Sequence, residues 1–564
     1  MPPVHRPRVP SKASPRTLLR ATASSACMEW DDMNTVLTDL TVSFSAPSES
    51  LPTCAQAPGG WHRLEKDLYL HQAEKHAWLR FVQASEADLT ADDLVVMEIT
   101  VSELHPGNGT PGSWESRPGG IWVLRRHYDG NVQQTVTNVD VLFGIDAVDP
   151  RPHWNLMEPP LRLNAEPDVP VARLSIRKGK GKGKAKPDLP QPPLKTRKGG
   201  KFKVVQISDT HMVTGVGVCK DAIGAHGEPL PESEADPLTV KFIGEILDAE
   251  EPDLVVLTGD QVHHGIPDSQ SAILKVVAPI IERAIPYAAV FGNHDDEGEY
   301  ALSRAEQMSL LQDLPLSLCR PGPDQVDGVG NYYIQVVEDS PAETPLLTLY
   351  LLDSHGEIPS RVKNPDYEPI KPSQIDWFTN TSKTLQRARA ENTNGSHHHL
   401  SLAYMHIPLP EYAEDDVVIR GGRRREPTEG PSLNSHFYDA LVKEDVVALG
   451  CGHDHVNDFC GLLPRRSYED SQPDPDVTFR SGPWLCYGGG TGFGGYCSYG
   501  KNRYHRRARV WEFDASVGEL KTWKRVEHSI ERIDEIVLVE NGVVVKLLDD
   551  TESEAHDPGA QVEL

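Results

Sequence analysis

The sequence predicts a two-part fold, a β-rich module followed by an α/β domain, and three observations carry that reading. From residue 202 onward, apolar runs of strand length alternate with stretches whose apolar residues recur three and four apart, so strands and helices take turns around a central sheet. Before residue 177 the apolar runs are short, alternating or β-branched, and separated by Gly, Pro and Asp. Between the two parts lies RKGKGKGKAKPDLPQPPLKTRKGGK, which has no apolar periodicity and is rich in Lys, Gly and Pro.

In chain order, residues 1–28 are expected to be a disordered tail. Arg6, Arg8, Lys12, Arg16 and Arg20 occur there without an acidic residue before position 29, a composition like that of a mitochondrial transit peptide, but the prolines oppose a helix. Residues 29–176 read as an N-terminal β-rich accessory domain through TVLTDLTVSF, HAWLRFVQ, DDLVVMEITVSE, GGIWVLRRHY and TNVDVLFG. Residues 177–201 read as a basic disordered linker, with a polybasic patch for nuclear import or an anionic surface as the alternative.

Residues 202–530 form the α/β domain. KFKVVQIS, DLVVLT, IPYAAVF, LLTLYLLD, HLSLAYM and DVVALG read as strands, and their unbroken apolar character suits burial on both faces. PLTVKFIGEILDA, SQSAILKVVAPIIERA, SHFYDALVK and SQIDWFTNTSKTLQRARA read as helices, the last with Ser373 as its N-cap. Residues 531–564 hold a hairpin, EIVLVENGVVVKLL, with Asn541-Gly542 as a type I′ turn, and then an acidic tail.

Bulk properties narrow the function. The formal charge is −27 over 564 residues, so a nucleic-acid partner is not expected, because phosphate backbones are bound mainly by clustered Lys and Arg. The eight cysteines include no CxxC pair, which points to free thiols in a reducing compartment. No apolar run reaches the roughly 18 residues of a membrane helix, so no transmembrane segment is expected. These features suggest a cytoplasmic location, with mitochondrial or nuclear addresses left open by the basic segments.

The chemistry lies at the strand ends. VVQIS is followed by Asp209-Thr210-His211, LVVLT by Gly259-Asp260, and YAAVF by Gly292-Asn293-His294-Asp295. LAYM is followed by His406, and VVALGC by Gly452-His453-Asp454-His455. In open α/β sheets the carboxyl ends of strands line the ligand crevice, so residues far apart in sequence converge there. Two carboxylates, four imidazoles and one amide oxygen, with no thiolate, suit two divalent ions of intermediate hardness such as Mn, Fe or Zn. Paired ions of that kind clamp the attacking and leaving oxygens of an in-line phosphoryl displacement.

This order of motifs resembles the calcineurin-like metallophosphoesterases over roughly residues 200 to 500. The resemblance implies a β-sandwich flanked by helices. It implies a first metal on Asp209, His211 and His455, a second on Asn293, His406 and His453, and Asp260 bridging them. It assigns catalytic roles to Asp260 and His294, the latter as a non-ligand histidine that gives a proton to the leaving oxygen or stabilises the phosphoryl group, with a metal-bound hydroxide as nucleophile. Purple acid phosphatases carry a tyrosine shortly after the GD motif; GDQVHHG has none. The stretches ISDTHMVTGVGVC, GNHDDEG and GGGTGFGGY are closer to a subgroup of fungal phosphatases named for a yeast dosage-dependent cell-cycle regulator, with plant relatives known as atypical purple acid phosphatases. That subgroup implies hydrolysis of phosphomonoesters, phosphoproteins among the candidate substrates. A diesterase of the same fold and a non-catalytic binding protein are the alternatives.

Substrate contacts are less determined. His264 follows Asp260 closely, His355 ends a strand, and Arg423 opens the triplet RRR. These three are the candidate substrate-binding residues. His263 is a candidate to line the site, with support from behind or a solvent-facing position as the alternatives, and Asp295 either orients His294 or caps the next segment. Arg503, Arg506, Arg507 and Arg509 read as surface salt-bridge partners, and His397 to His399 as a surface loop.

Overall fold

The computed structural model describes residues 35–45, 60–107, 113–179, 194–231, 233–360, 366–392, 398–464 and 482–545. The expected N-terminal tail and acidic C-terminal tail lie outside them.

The N-terminal module is built from three antiparallel three-stranded sheets. Thr35–Ser45 pairs with His76–Ser85, Leu94–Val101 with Ile121–His127, and Val136–Phe143 with Ala172–Lys178. Their inward residues, among them Leu40, Val123, Val141 and Leu174, bury one shared core. The last strand runs to Lys178, so the first residues of the expected linker are ordered. Its other end is ordered too. Leu194–Lys195 adds in parallel to Tyr332–Val337, because Leu194 packs on a core and Thr196 is buried. Only residues 180–193 of the linker lie outside the description.

Two sheets form the larger part. The seven-stranded sheet runs Tyr287–Val290, Leu254–Thr258, Lys201–Ile207, Arg507–Asp514, Glu519–Val526, Ile533–Glu540, Val543–Val544. The eight-stranded sheet centres on Pro345–Leu351, Leu400–Tyr404, Val446–Cys451 and Trp484–Tyr487, which are mutually parallel. Strand alternation sorts the side chains. Val204 and Val256 meet Leu347, Leu402 and Trp484 between the sheets, while Val205 and Val255 face the helices Ala235–Glu250 and Ser269–Glu282. On the far side, Tyr350 and Leu449 pack against Pro372–Asn392 and Phe437–Lys443. The result is the β-sandwich flanked by helices.

Several expectations change. The terminal hairpin is not a separate element: Leu538, Val539 and Val544 are buried in the inter-sheet core, and Asn541 and Gly542 take the positive φ of a type I′ turn. The long helix starts at Pro372, where a missing N–H costs nothing, and Ser373 lies inside it, its hydroxyl bonded to Asp327. A helix over Arg304–Gln312, with a Ser303/Glu306 capping box, was not anticipated. Cys460 and Cys486 form a disulfide, because antiparallel pairing of their strands sets them opposite each other; among the described residues Cys219, Cys319, Cys451 and Cys497 are free. Spacing alone could not reveal that pair.

The N-terminal module docks on Ser269–Glu282. Phe143 N–H donates to Ser271 Oγ at 2.9 Å, and Lys275 Nζ meets Asp146 at 2.7 Å. His71 stacks on Tyr300, just beyond the GNHDDEG segment, with ring centroids 4.1 Å apart.

Candidate metal centre

Five parallel strands, three in one sheet and two in the other, end at one place. The chain must turn within two residues of each strand to bring a side chain back across the opening. Asp209, His211, Asp260 and His453 accordingly sit at positive φ, between +46° and +77°, a region that Asp, Asn and His visit more readily than other non-glycine residues. Small residues let the loops close. A Cβ on Gly259 would lie 2.4 Å from His406 Nδ1, and one on Gly495 would lie 2.4 Å from a His455 ring atom and 2.7 Å from a His211 ring atom.

The ligand atoms of Asp209, His211, Asp260 and His455 all lie within 4.8 Å of one another, and so do those of Asp260, His406 and His453. Asp260 belongs to both groups. Its Oδ2 is 3.6 Å from His211 Nε2 and 3.4 Å from His406 Nε2. Asn293 Oδ1 joins the second group, 3.2 Å from His406 Nε2. His211 Nε2 and His455 Nε2 face each other at 3.0 Å.

The other ring nitrogens are tied outward. His406 Nδ1 donates to the Thr258 carbonyl at 2.8 Å, and His455 Nδ1 to the Tyr496 carbonyl at 2.7 Å. Such bonds fix the tautomer and leave Nε2 as the lone pair. Tyr496 also stacks on His455 at 4.0 Å. His211 Nδ1 lies 3.1 Å from His263 Nδ1, so His263 supports the site from behind.

Electrostatics agree with a cation site. Burial holds His211 and His453 well below the usual imidazole range and brings His455 down to about 3, so all three offer neutral nitrogens. Burial, together with the charge of Asp260, raises Asp209 to about 7. Burial would raise Asp260 as well, but His406 and His294 hold it well below its ordinary value. Cations between these carboxylates would relieve their conflict. His453 Nε2 is buried and lacks any hydrogen-bond partner, an orphan that a metal ion satisfies. The residues present fit a pair of divalent ions.

His294 stands apart from both groups. Its N–H donates to Asp260 Oδ1 at 2.9 Å, its Nδ1 meets Glu297 Oε2 at 2.6 Å, and its side chain is 28% exposed. Burial lowers its pKa, but Asp260 and Glu297 raise it above the ordinary value. Asp295 does not touch the ring. It is fully buried and accepts from the N–H groups of Asp260 (3.0 Å), Val262 (3.0 Å) and Gly292 (2.7 Å), knitting two strand-end loops together.

The three candidate substrate residues part company. His264 is exposed at the rim, its ring 5.1 Å from that of His294. His355 is turned away, Nε2 held by Gln374 Oε1 at 2.7 Å. Arg423 is exposed, with its backbone N–H on Asp458. The neighbouring Arg424 and Arg425 hold backbone carbonyls, and Arg425 also holds Asp458. Arg506, Arg507 and Arg509 are not surface residues; each is at most 3% exposed. Arg507 pairs with Asp458, Arg509 bonds the carbonyls of Tyr487 and Asp458, and Arg506 bonds those of Gly495 and Tyr496 in the glycine-rich loop. Two of the three hold carbonyls of that loop or the strand before it, and Asp458 arrives from a distant segment to balance them. His399 is half-buried, its Nε2 between Thr348 and Arg389.

Other residues at the site gave no sequence signal of their role. Tyr367 packs edge-on to His453 at 4.8 Å. Arg304 bonds the carbonyls of Gly292 (2.8 Å) and His355 (2.9 Å) and pairs with Asp296 and Asp353.

Residues 202–457 match the calcineurin-like phosphoesterases. Over 416 residues the chain is 35% identical to Phosphatase DCR2 of Saccharomyces cerevisiae, covering 71% of this chain and 65% of that protein. Over 367 residues it is 36% identical to Probable inactive purple acid phosphatase 29 of Arabidopsis thaliana, covering 61% of this chain and 87% of that protein. Probable inactive purple acid phosphatase 28 of the same plant is 32% identical over 395 residues, covering 65% of this chain and 90% of its own.

Proposed function

From the premise that the chain belongs to the calcineurin-like phosphoesterase family, we propose that it hydrolyses phosphate monoesters, phosphoproteins among them, at a dinuclear metal centre. The observation that carries the reading is the sharing of Asp260 between two ligand groups, the arrangement that fixes the spacing of paired ions.

Asp209, His211, His455 and Asp260 would hold one ion, and Asp260, Asn293, His406 and His453 the other. Bound there, Mn, Fe or Zn would supply Lewis-acid charge and an activated water. The protein's own groups do the rest. Thr258 and Tyr496 carbonyls keep His406 and His455 turned with Nε2 inward. Asp295 sets the loops of Asp260 and Asn293 at a fixed separation. His294, held by Asp260 at its backbone and by Glu297 at its ring, stands beside the centre to give the leaving oxygen its proton as the P–O bond breaks. His264 lines the same edge. Some plant relatives are named as inactive, but here each ligand position is filled and His294 is present, which supports turnover.

The test is metal analysis with parallel assays. Protein loaded with Mn, or with Fe and Zn, is expected to hold two ions per chain and to turn over a monoester faster than a diester. Faster diester hydrolysis would refute the monoesterase preference. Absence of both metal and turnover would refute the enzyme reading. Asp260→Asn is expected to lower occupancy of both positions.

A further inference from the structure

Glu297 makes a tight turn with His294. Its N–H donates to the His294 carbonyl at 3.3 Å while its carboxylate lies 2.6 Å from His294 Nδ1. The turn is pressed against the loop that carries Asp260. Gly265 N–H donates to the Glu297 carbonyl at 2.7 Å. Gly298, at φ +131°, lies so close that a Cβ would meet Gly265 Cα at 2.7 Å. From its backbone end, His294 is pinned by its N–H on Asp260 Oδ1. The neighbouring Asp295 is committed to three backbone N–H groups, so Glu297 is the carboxylate that serves the ring.

We infer that Glu297 is a positioning residue for His294: by accepting a hydrogen bond from Nδ1–H it fixes the ring plane and keeps the proton on Nδ1, so that Nε2–H is the bond offered to the leaving oxygen. This rests on the phosphomonoesterase reading. In the step, the bond from phosphorus to the ester oxygen breaks, the bond from phosphorus to a water oxygen forms, the proton on His294 Nε2 passes to the departing oxygen, and the one proton that the attacking water gives up to solvent is matched by the one His294 regains from solvent after the alcohol leaves. Glu297 neither gains nor loses a proton.

A leaving group that needs no proton does not need an oriented acid, and that separates this role from general support of the fold. In the metal-loaded full chain, Glu297→Ala is expected to slow hydrolysis of an alkyl phosphate by at least about tenfold, part of the ~10²–10⁴-fold that a general acid supplies in full. The rate on p-nitrophenyl phosphate is expected to stay nearly unchanged, and metal content to equal that of the wild type. Glu297→Gln, which keeps an acceptor at the same reach, is expected to recover part of the alkyl phosphate rate. Equal slowing of both esters, or no slowing of the alkyl ester, would overturn the role of Glu297 and leave the monoesterase reading standing. A wild-type protein inactive on both esters would overturn the reading and the inference with it. A second readout is independent of turnover: the His294 Nδ1 proton, assigned by its loss in His294→Asn, is expected as a far-downfield proton resonance that Glu297→Ala removes. Its persistence in Glu297→Ala would overturn the contact.

Discussion

Arg304 ties one sheet's loops to the other's, and removing it gives the sharpest test of how the site is held. Its guanidinium bonds the Gly292 carbonyl beside Asn293 on one side, and the His355 carbonyl and Asp353 on the other. The side chain of Asp353 is 2% exposed. Arg304→Met keeps the aliphatic bulk but leaves that carboxylate buried without its cation. Breaking a buried pair in this way costs about 3–5 kcal/mol. Asp353 keeps two backbone donors, Val329 N–H at 2.7 Å and His355 N–H at 2.9 Å, so the lower end, about 3 kcal/mol, is expected. At about 2.1 cal/mol/K of unfolding entropy per residue, a domain of roughly 330 residues has an unfolding entropy of ~0.7 kcal/mol/K, so about 3 kcal/mol predicts a fall of roughly 4 °C by calorimetry. Asp353→Asn in the Arg304→Met background removes the stranded charge and is expected to recover at least about 1 kcal/mol, a coupling typical of residues in contact. The same variant should weaken the second metal more than the first, because Gly292 and Asn293 lose their anchor. A cost below about 1 kcal/mol, or a double variant no better than the single one, would refute the argument that an unpaired buried charge governs this junction.

Further expectations follow from other contacts. His294→Ala should retain both metals and lose about 10²–10⁴-fold in turnover of an alkyl phosphate, whose leaving oxygen needs the proton; loss of metal by elemental analysis would make His294 a ligand instead. Gly495→Ala drives a methyl into the rings of His455 and His211, so the first metal should bind about 10–100-fold more weakly, read by chelator competition. Glu115 is held down to about 2 by hydrogen bonds to Arg125 and Arg117, against a smaller burial effect. With its folded value depressed, its contribution to stability is present above the unfolded value near 4.5 and is lost as pH falls toward 2. Acid unfolding of the N-terminal module followed by tryptophan fluorescence should therefore show a component over that window that Glu115→Gln removes.

The ligand positions were legible because strand ends are local signals. An apolar run followed by Asp, His or Asn-His marks both where a sheet stops and what it presents, and five such marks suffice to define a crevice. What was illegible depended on partners far away in sequence. Arg507 and Arg509 alternate with apolar residues as a surface strand would, and only Asp458, arriving in space from another loop, makes them interior. Cys460 and Cys486 meet through strand register. The Arg304–Gln312 helix is a different case, since Ser303 and Glu306 stand at capping-box spacing and were available to be read. Glu297 was printed inside GNHDDEG, but a carboxylate three residues from a histidine becomes a partner only once the turn between them is known.

The glycine-rich loop has a consequence for how the protein comes into being. Thr491 and Gly492 N–H groups hold the carbonyls of Ser208 and Asp209, and Arg507–Asp514 lies beside Lys201–Ile207 in the sheet. A ribosome that has synthesised residues 1–457 has made every proposed ligand, yet the strand that flanks the first of them is still unmade. Contacts of such long sequence separation close late and slowly. Metal acquisition should therefore follow chain release, and nascent chains halted before residue 507 should fail to retain the ions.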